Sequence, residues 1–360
     1  MKKIAIVINH YPASPRVTRY IDMVKKKDNQ VEIKIIAWNR RTSPITSTED
    51  VFIMNSTIGY GHKLKKLQEI PKFAAFVKKV IECEVFDVIH FIDWDMLMIC
   101  NFLDTDDVKV IYEIFDMPSF SNKVYTRLAK LIERVTLRKV DLVILSSQYT
   151  CKFYNKKKYT VLENIPDIKS KLRDDKDNNV DNSVVKIGFI GTIRYKHILE
   201  NLIDAVASFE LVELHFYGDG PSNSSLIEYS RNKNNIFFHG RYNYKSISKI
   251  YKSVDFVWGA YPNKLFNVKY AVSNKFYEAQ VFKKPIIVSN GTKISEYVKE
   301  KNIGYSVNPY SKEEIIKLLE KLSMKEYDCV RNYEKYEEML CRYDLSVNEI
   351  INYIQKKIGD

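Results

Sequence analysis

The chain has 360 residues, 45% of them hydrophobic, and a formal net charge of +12. That length suffices for two domains of ordinary size, and the apolar content for a core in each. No run approaches the roughly 20 apolar residues of a membrane span. Cys83, Cys100, Cys151, Cys329 and Cys341 show no paired spacing, which speaks against a disulfide frame or a cysteine metal site and for reduced thiols in a cytoplasmic protein. The positive charge is scattered, with clusters at Lys63–Lys66, Lys78-Lys79 and Lys156–Lys158, and no nucleic-acid module is visible. Nucleic acid is therefore not an expected partner. An anionic membrane surface fits the charge, because basic segments near lipid headgroups gain about 1 kcal/mol per charge; a generally basic surface that keeps the protein soluble fits it equally.

Short β-rich runs alternate with helical patterns from the start, the signature of a parallel sheet covered by helices. Lys3–Asn9 is a continuous apolar run, as expected of a strand buried on both faces. It is read as the first strand rather than a secretory signal, being short and leading into a loop and helix. His10 to Pro15 is a loop, and a helix starts near Arg16 with Pro15 at its first turn. Arg16 is placed to meet a phosphate or an acceptor. Val31–Trp38, Val51–Asn55, Val88–Phe91 and Val110–Phe115 are the next strands. His90, Asp93 and Asp116 stand at or beyond strand ends, where ligands gather in such sheets. His90 also fits a buried structural role, as an alternating strand residue. Gly59-Tyr60-Gly61-His62 leads into a basic helical region to about Cys83, interrupted at Pro71. Ser121–Lys139 reads as a long helix, Leu142–Ser146 and Tyr159–Glu163 as strands.

Asp167–Ser183 is polar and charged, a linker composition. The domains are accordingly set at 1–166, 184–342 and a C-terminal helix at 343–360, with the linker at 167–183. Val184–Ile190 restarts the strand pattern. Gly191 follows, with Arg194 and Lys196 offering positive charge where a glycine lets backbone approach a ligand closely. Leu211–Tyr217, Ile236–Phe238 and Asp255–Trp258 are strands, and Arg241 follows the second of them. Glu326–Arg342 and Ser346–Lys357 read as two helices.

The stretch from Tyr270 to Gly291 carries the sharpest chemistry. A helix from about Asn274 to Phe282 has Ser273 or Asn274 as its cap. Its first turn holds Lys275 where an ordinary helix prefers an acid. Asn274, Lys275 and Glu278 project from one side. A helix N-terminus with an added cation suits phosphate, and a carboxylate one turn on suits two ribose hydroxyls, as in dinucleotide folds. A solvated amphipathic helix is the plainer alternative.

The segment resembles the donor site of two-domain nucleotide-sugar glycosyltransferases, especially glycosyltransferase family 4 and its relatives. Asn274-Lys275-Phe276-Tyr277-Glu278-Ala279 followed by Pro285-Ile286-Ile287 is similar to their "NK…E" segment. Tyr11-Pro12-Ala13-Ser14-Pro15-Arg16-Val17, Asp87-Val88-Ile89-His90 with Asp93, Gly191 to Ala205, Tyr217 to Pro221 and Phe238-His239-Gly240 resemble further family motifs in the same order. The resemblance implies an α/β chain of GT-B architecture, two Rossmann-like domains facing each other across a cleft. It implies a donor, UDP- or GDP-linked, held by Gly191, Arg194, Lys196, Asn274, Lys275, Glu278, Arg241 and Arg16, and no other cofactor. The acceptor, lipid-linked or an oligosaccharide, would lie on the first domain, with Asp93, Asp116 and His90 as catalytic candidates. The family's second histidine is replaced by Ile92, and the first of its paired glutamates by Tyr270. No metal-ligand cluster is visible, so metal-independent transfer is expected, retaining rather than inverting. The product would be a surface polysaccharide, such as a capsule, or a glycolipid precursor. The protein would work in the cytoplasm or peripherally on the inner face of the membrane, with membrane contact in the Gly59–Cys83 region. An epimerase or hydrolase of the same architecture, and a non-catalytic sugar-nucleotide-binding subunit, are the alternatives.

Overall fold

A computed structural model describes residues 1–40, 43–58, 63–120, 122–168, 183–326 and 332–356, with side chains omitted at 63–65 and 67. The chain divides into two compact units, Met1–Glu163 with Arg342–Asp360, and Asn164–Cys341. Most of the linker expected at 167–183 lies outside the described residues, as does the Gly59-Tyr60-Gly61-His62 motif.

The first unit runs β1 (Lys2–Ile8), α1 (Pro15–Lys27), β2 (Val31–Asn39), β3 (Val51–Asn55), α2 (Lys63–Cys83), β4 (Val88–Ile92), α3 (Trp94–Leu97), β5 (Lys109–Ile114), α4 (Lys123–Thr136), β6 (Leu142–Leu145), α5 (Cys151–Tyr154) and β7 (Tyr159–Val161). Its seven strands are ordered β3-β2-β1-β4-β5-β6-β7, all parallel. Every residue of β4 and β5 is buried, as a sheet covered on both faces requires. Pro71 does not interrupt α2, which runs through it.

The second unit runs β8 (Val185–Ile190), α6 (Lys196–Val206), β9 (Val212–Tyr217), α7 (Asn223–Tyr229), β10 (Ile236–Gly240), α8 (Ile247–Lys252), β11 (Phe256–Gly259), α9 (Phe266–Tyr270), α10 (Asn274–Val281), β12 (Ile286–Ser289), α11 (Lys293–Lys301), β13 (Gly304–Val307) and α12 (Lys312–Ser323). Its strand order is β10-β9-β8-β11-β12-β13. Ile187, Phe189, Leu202, Phe216, Trp258 and Leu319 lie in one core that joins the sheet to α6 and α12.

A single helix, α13 (Tyr336–Gln355), replaces the two helices expected near the C-terminus. Residues 343–345 contain neither proline nor glycine, so nothing in them breaks the helix. It begins in the second unit and from Arg342 is part of the first. There the Lys109 ammonium, on a buried stretch of β5, donates to the carbonyls of Tyr353 and Lys356, a cation on the negative end of the helix.

Each sheet has one place where the chain order reverses, between β1 and β4 and between β8 and β11. Loops leaving adjacent strands there diverge and leave a crevice at the strands' carboxyl ends.

Candidate active site

In the second unit this crevice is walled by backbone. Gly191 has φ of +124° and Gly218 of +138°, a conformation that L side chains resist. A Cβ on Gly218 would lie 1.9 Å from the Gly191 carbonyl oxygen, and one on Gly220 2.2 Å from that of Ile193. Only glycine lets the loops after β8 and β9 press together. The Gly191 N–H then donates to the Tyr217 carbonyl at 2.7 Å, and the Ile193 N–H to that of Asp219 at 3.0 Å.

Lys275 enters the same crevice from α10. A Cβ on Gly191 would stand 3.2 Å from its Nζ. The ammonium donates to the Tyr261 hydroxyl at 2.6 Å and sits 4.4 Å from the centre of the Phe189 ring. Lys275 is 6% exposed, and no carboxylate lies within 4 Å of its ammonium among the described residues. Burying a cation against two aromatic faces and one hydroxyl leaves its charge only partly compensated. The crevice is therefore poised for an anion.

Ser273 is the N-cap of α10, but its side chain makes no capping bond. Asn274 caps nothing either; its Oδ1 accepts from Asn164 Nδ2 at 2.5 Å. First-turn N–H groups of the helix thus have no side-chain cap, at the end that attracts anions.

Glu278 lies one turn on and is nearly enclosed. Oε1 accepts from the Tyr244 hydroxyl at 3.0 Å and Oε2 from that of Tyr251 at 2.7 Å. Burial and the Glu278 carboxylate together push the neighbouring Tyr242 hydroxyl up to about 12. Each carboxylate oxygen retains a further lone pair for a ligand hydroxyl. The tyrosines fix the carboxylate in place.

The remaining basic candidates are more open. Arg194 is exposed with its guanidinium 4.9 Å from the Tyr195 ring, which meets Tyr261 edge-on at 6.2 Å. That chain of contacts joins Arg194 to Lys275. Lys196 turns along α6 to Glu200 at 3.5 Å. Arg241 pairs with Asp219 at 2.8 Å while remaining 85% exposed. The structure thus brings Gly191, Lys275 and Tyr261 together, places Asn274 and Glu278 on the same helix, and turns Lys196 and Arg241 toward acids of their own.

The first unit has its own polar cluster at the β1/β4 crevice. Asp93 follows β4 with φ of +69°, a strained conformation for a residue with a side chain. Its Oδ1 accepts the Phe115 N–H at 3.1 Å and the Asp116 N–H at 3.4 Å, so the Asp93 carboxylate is held by the backbone that carries Asp116. Burial, with Asp95 and Asp116 adding repulsion, raises the Asp93 carboxyl to about 8. Asp95 is buried and accepts both Asn9 Nδ2 (3.2 and 3.0 Å) and the Lys66 ammonium.

His90 and Arg16 do not join that cluster. His90 is fully enclosed, its Nε2 3.2 Å from Glu113 Oε2 and its ring edge-on to Tyr20. Arg16 is 9% exposed; Nε donates to Glu113 Oε1 at 2.9 Å and a terminal nitrogen to the Leu162 carbonyl at 2.6 Å. Burial alone would raise the Glu113 carboxyl, but the Arg16 guanidinium and His90 outweigh it and hold it low. Arg16, expected at a ligand, is instead held in the interior, and His90 takes the buried structural role its strand position also fits. An acid in the middle of a buried strand needs a cation, and Arg16 is the one within reach.

Sequence reasoning missed Tyr244, Tyr251 and Tyr261, which support Glu278 and Lys275, because tyrosines distant in sequence carry no spacing signal. It also missed Glu113, whose signal was present: a carboxylate within the apolar run VIYEIF demands a buried partner.

Residues 170–339 match the model of the family described as glycosyl transferases group 1. No curated protein sequence matches the chain. Among solved structures, HepE of Anabaena in complex with UDP-glucose is similar with a TM-score of 0.67 and 16% identity, over 98% of this chain and 99% of that one. Sucrose-phosphate synthase of Thermosynechococcus elongatus is similar with a TM-score of 0.68 and 12% identity, over 98% and 96%. The lipopolysaccharide outer core galactosyltransferase WaaB is similar with a TM-score of 0.62 and 13% identity, over 98% of each chain. The fold is thus the GT-B fold, an α/β architecture of two Rossmann-like domains.

Proposed function

On the premise of a second unit that matches the glycosyl transferases group 1 family, we propose that the protein moves a sugar from a nucleoside-diphosphate donor to a lipid-linked or saccharide acceptor. The observation that carries this reading is the buried Lys275 ammonium without a carboxylate partner among the described residues, beside Gly191 and one turn from Glu278. The HepE structures, solved in complex with UDP and with UDP-glucose, support a nucleotide-sugar ligand for this fold.

In this reading the diphosphate lies against Gly191 and the N-terminal end of α10, with its charge met by Lys275 and Arg194. Such preorganised charge stabilises the leaving diphosphate as the glycosidic bond breaks, which is where the charge of the transition state grows. Glu278, held by two tyrosine hydroxyls, accepts the ribose hydroxyls. Lys275, Arg194 and the helix end supply the positive charge of metal-independent transfer.

The acceptor occupies the first unit, near Asp93 and Asp116. An inverting reaction needs a base there. Asp93, raised to about 8, and Asp116 are the candidates for that base. A retaining reaction, the course preferred here, requires no protein base. The product is read as a surface polysaccharide or glycolipid precursor, made at the cytoplasmic side of a membrane.

Thermal stability against a panel of nucleoside diphosphates tests the donor site. One of them should raise the melting temperature by binding only the folded state, and Glu278→Ala should lose most of that shift. No shift with any nucleotide would remove the reading. The enclosure of His90 favours one second reading, a sugar-nucleotide binder without turnover; it predicts the same shifts but no release of nucleoside diphosphate when acceptors are supplied.

A further inference from the structure

Helix α4 faces the wrong way for a helix that merely covers a sheet. Its buried residues are Ala129, Glu133 and Thr136. Glu133, the acid of the helix, points inward, where its carboxylate accepts the hydroxyls of Tyr112 at 2.7 Å and Tyr154 at 2.9 Å. Val124, Leu128, Leu131 and Val135 instead stand in solvent, between 50% and 65% exposed. Their spacing of four, three and four residues makes them one continuous row along the helix.

A second row lies beside the first. Lys123, Arg127, Lys130 and Arg134 each precede one of those apolar residues by a single position, so the same spacing repeats as a parallel line of positive charge. Lys123, Arg127 and Arg134 are exposed.

We infer that the outer face of α4 docks on an anionic lipid surface, with Val124, Leu128, Leu131 and Val135 entering the headgroup boundary and the basic row meeting lipid phosphates. Charge complementarity selects this occupant. A second copy of the chain would set two basic rows and a net charge of +12 against each other, whereas an anionic bilayer offers both an apolar layer and negative charge. The inference rests on the lipid-linked-acceptor reading only for its biological purpose. The two rows on α4 stand without it, and they form a surface separate from the contact expected in the Gly59–Cys83 region.

Flotation of the purified protein with vesicles of one part phosphatidylglycerol to two of phosphatidylcholine tests it, beside pure phosphatidylcholine vesicles. Binding is expected to the anionic vesicles and to fall as salt rises. Leu128→Ser with Leu131→Ser should abolish it, and Arg127→Gln with Arg134→Gln should weaken partition about thirty-fold, at roughly five-fold per charge removed. The thermal shift by nucleoside diphosphate is measured on the same variants. Its retention shows that they fold and that the donor site is separate; its absence in every protein, wild type included, would remove the transferase reading and leave the docking result standing. Failure of the wild type to float overturns the inference. So does a concentration-dependent dimer in sedimentation that the leucine substitutions dissolve, which would assign the face to a second copy.

Discussion

Arg16 and Glu113 meet in the interior of the first unit, the guanidinium of α1 against the carboxylate of β5, with two nitrogen–oxygen distances of 2.9 Å. His90 completes the group from the neighbouring strand. A buried carboxylate is tolerable only while its partners hold it. Arg16→Met should therefore destabilise the first unit by about 3–5 kcal/mol, read by urea unfolding. Nucleotide binding by the second unit should persist. The depressed Glu113 carboxyl stabilises the fold above its ordinary value of 4.5 and withdraws that contribution as pH falls through its lowered value in the folded protein. The difference between wild type and Arg16→Met should accordingly shrink in acid.

Lys275 presents the opposite case, a buried cation that meets a hydroxyl and aromatic faces but no carboxylate among the described residues. Lys275→Met should leave the melting temperature of the free protein unchanged or raise it, because an incompletely paired cation is removed. Affinity for the nucleoside diphosphate should fall by about 10- to 100-fold, the loss of one charge-assisted bond. Affinity for the bare nucleoside should change little. Calorimetric titration of both ligands checks the contrast; equal losses for the two would show that Lys275 serves the fold rather than phosphate.

Gly218→Ala tests the pressed loops. The added Cβ would lie 1.9 Å from the Gly191 carbonyl oxygen at a φ of +138°. Strain of this kind costs about 1–3 kcal/mol. The loop after β8 must move to relieve it, so nucleotide affinity should fall along with stability. Gly291→Ala, at φ of +67° with nothing within 4 Å of its Cβ, is the control for backbone strain without collision.

Asp93 gives a pH signature of the reverse sign to Glu113. Its carboxyl is raised from 3.8 to about 8, so between those values the folded chain holds a proton that the unfolded chain has released. Stability contributed by this group is present at low pH and lost as pH rises through 8. Asp93→Asn keeps the oxygen that accepts from Phe115 and Asp116 but cannot ionise. Its melting temperature should match the wild type near pH 4 and exceed it by a few degrees at pH 9. A variant less stable than wild type at pH 9 would mean that the carboxylate is stabilising there.

The sheets were legible in the sequence because buried parallel strands are written as apolar runs, and β1, β4 and β8 read that way. The NKFYEA helix was legible too, since a lysine in a first turn is out of place unless something negative meets it. The failures have a common physical origin. Period and composition report what a residue is, not which side of it is water. Arg16 looked like a loop-end cation, yet it faces inward because Glu113, almost a hundred residues later, calls for it. Ser121–Lys139 read as a helix, but its pattern did not say that the buried side of α4 would carry Glu133 and the exposed side the row from Val124 to Val135. Partners such as Tyr112 and Tyr154 that make this arrangement stable belong to other elements, and no local pattern names them.

The return of α13 to the first unit bears on how the protein is made. Residues 1–163 leave the ribosome long before residue 342, so the second unit is complete while the first still lacks its last helix. Until then the Lys109 ammonium has no Tyr353 or Lys356 carbonyl to cap. Synthesis order and maturation order are therefore reversed: the half of the chain translated first is the half finished last, and a ribosome that stalls late releases a product with one sound unit and one unsealed.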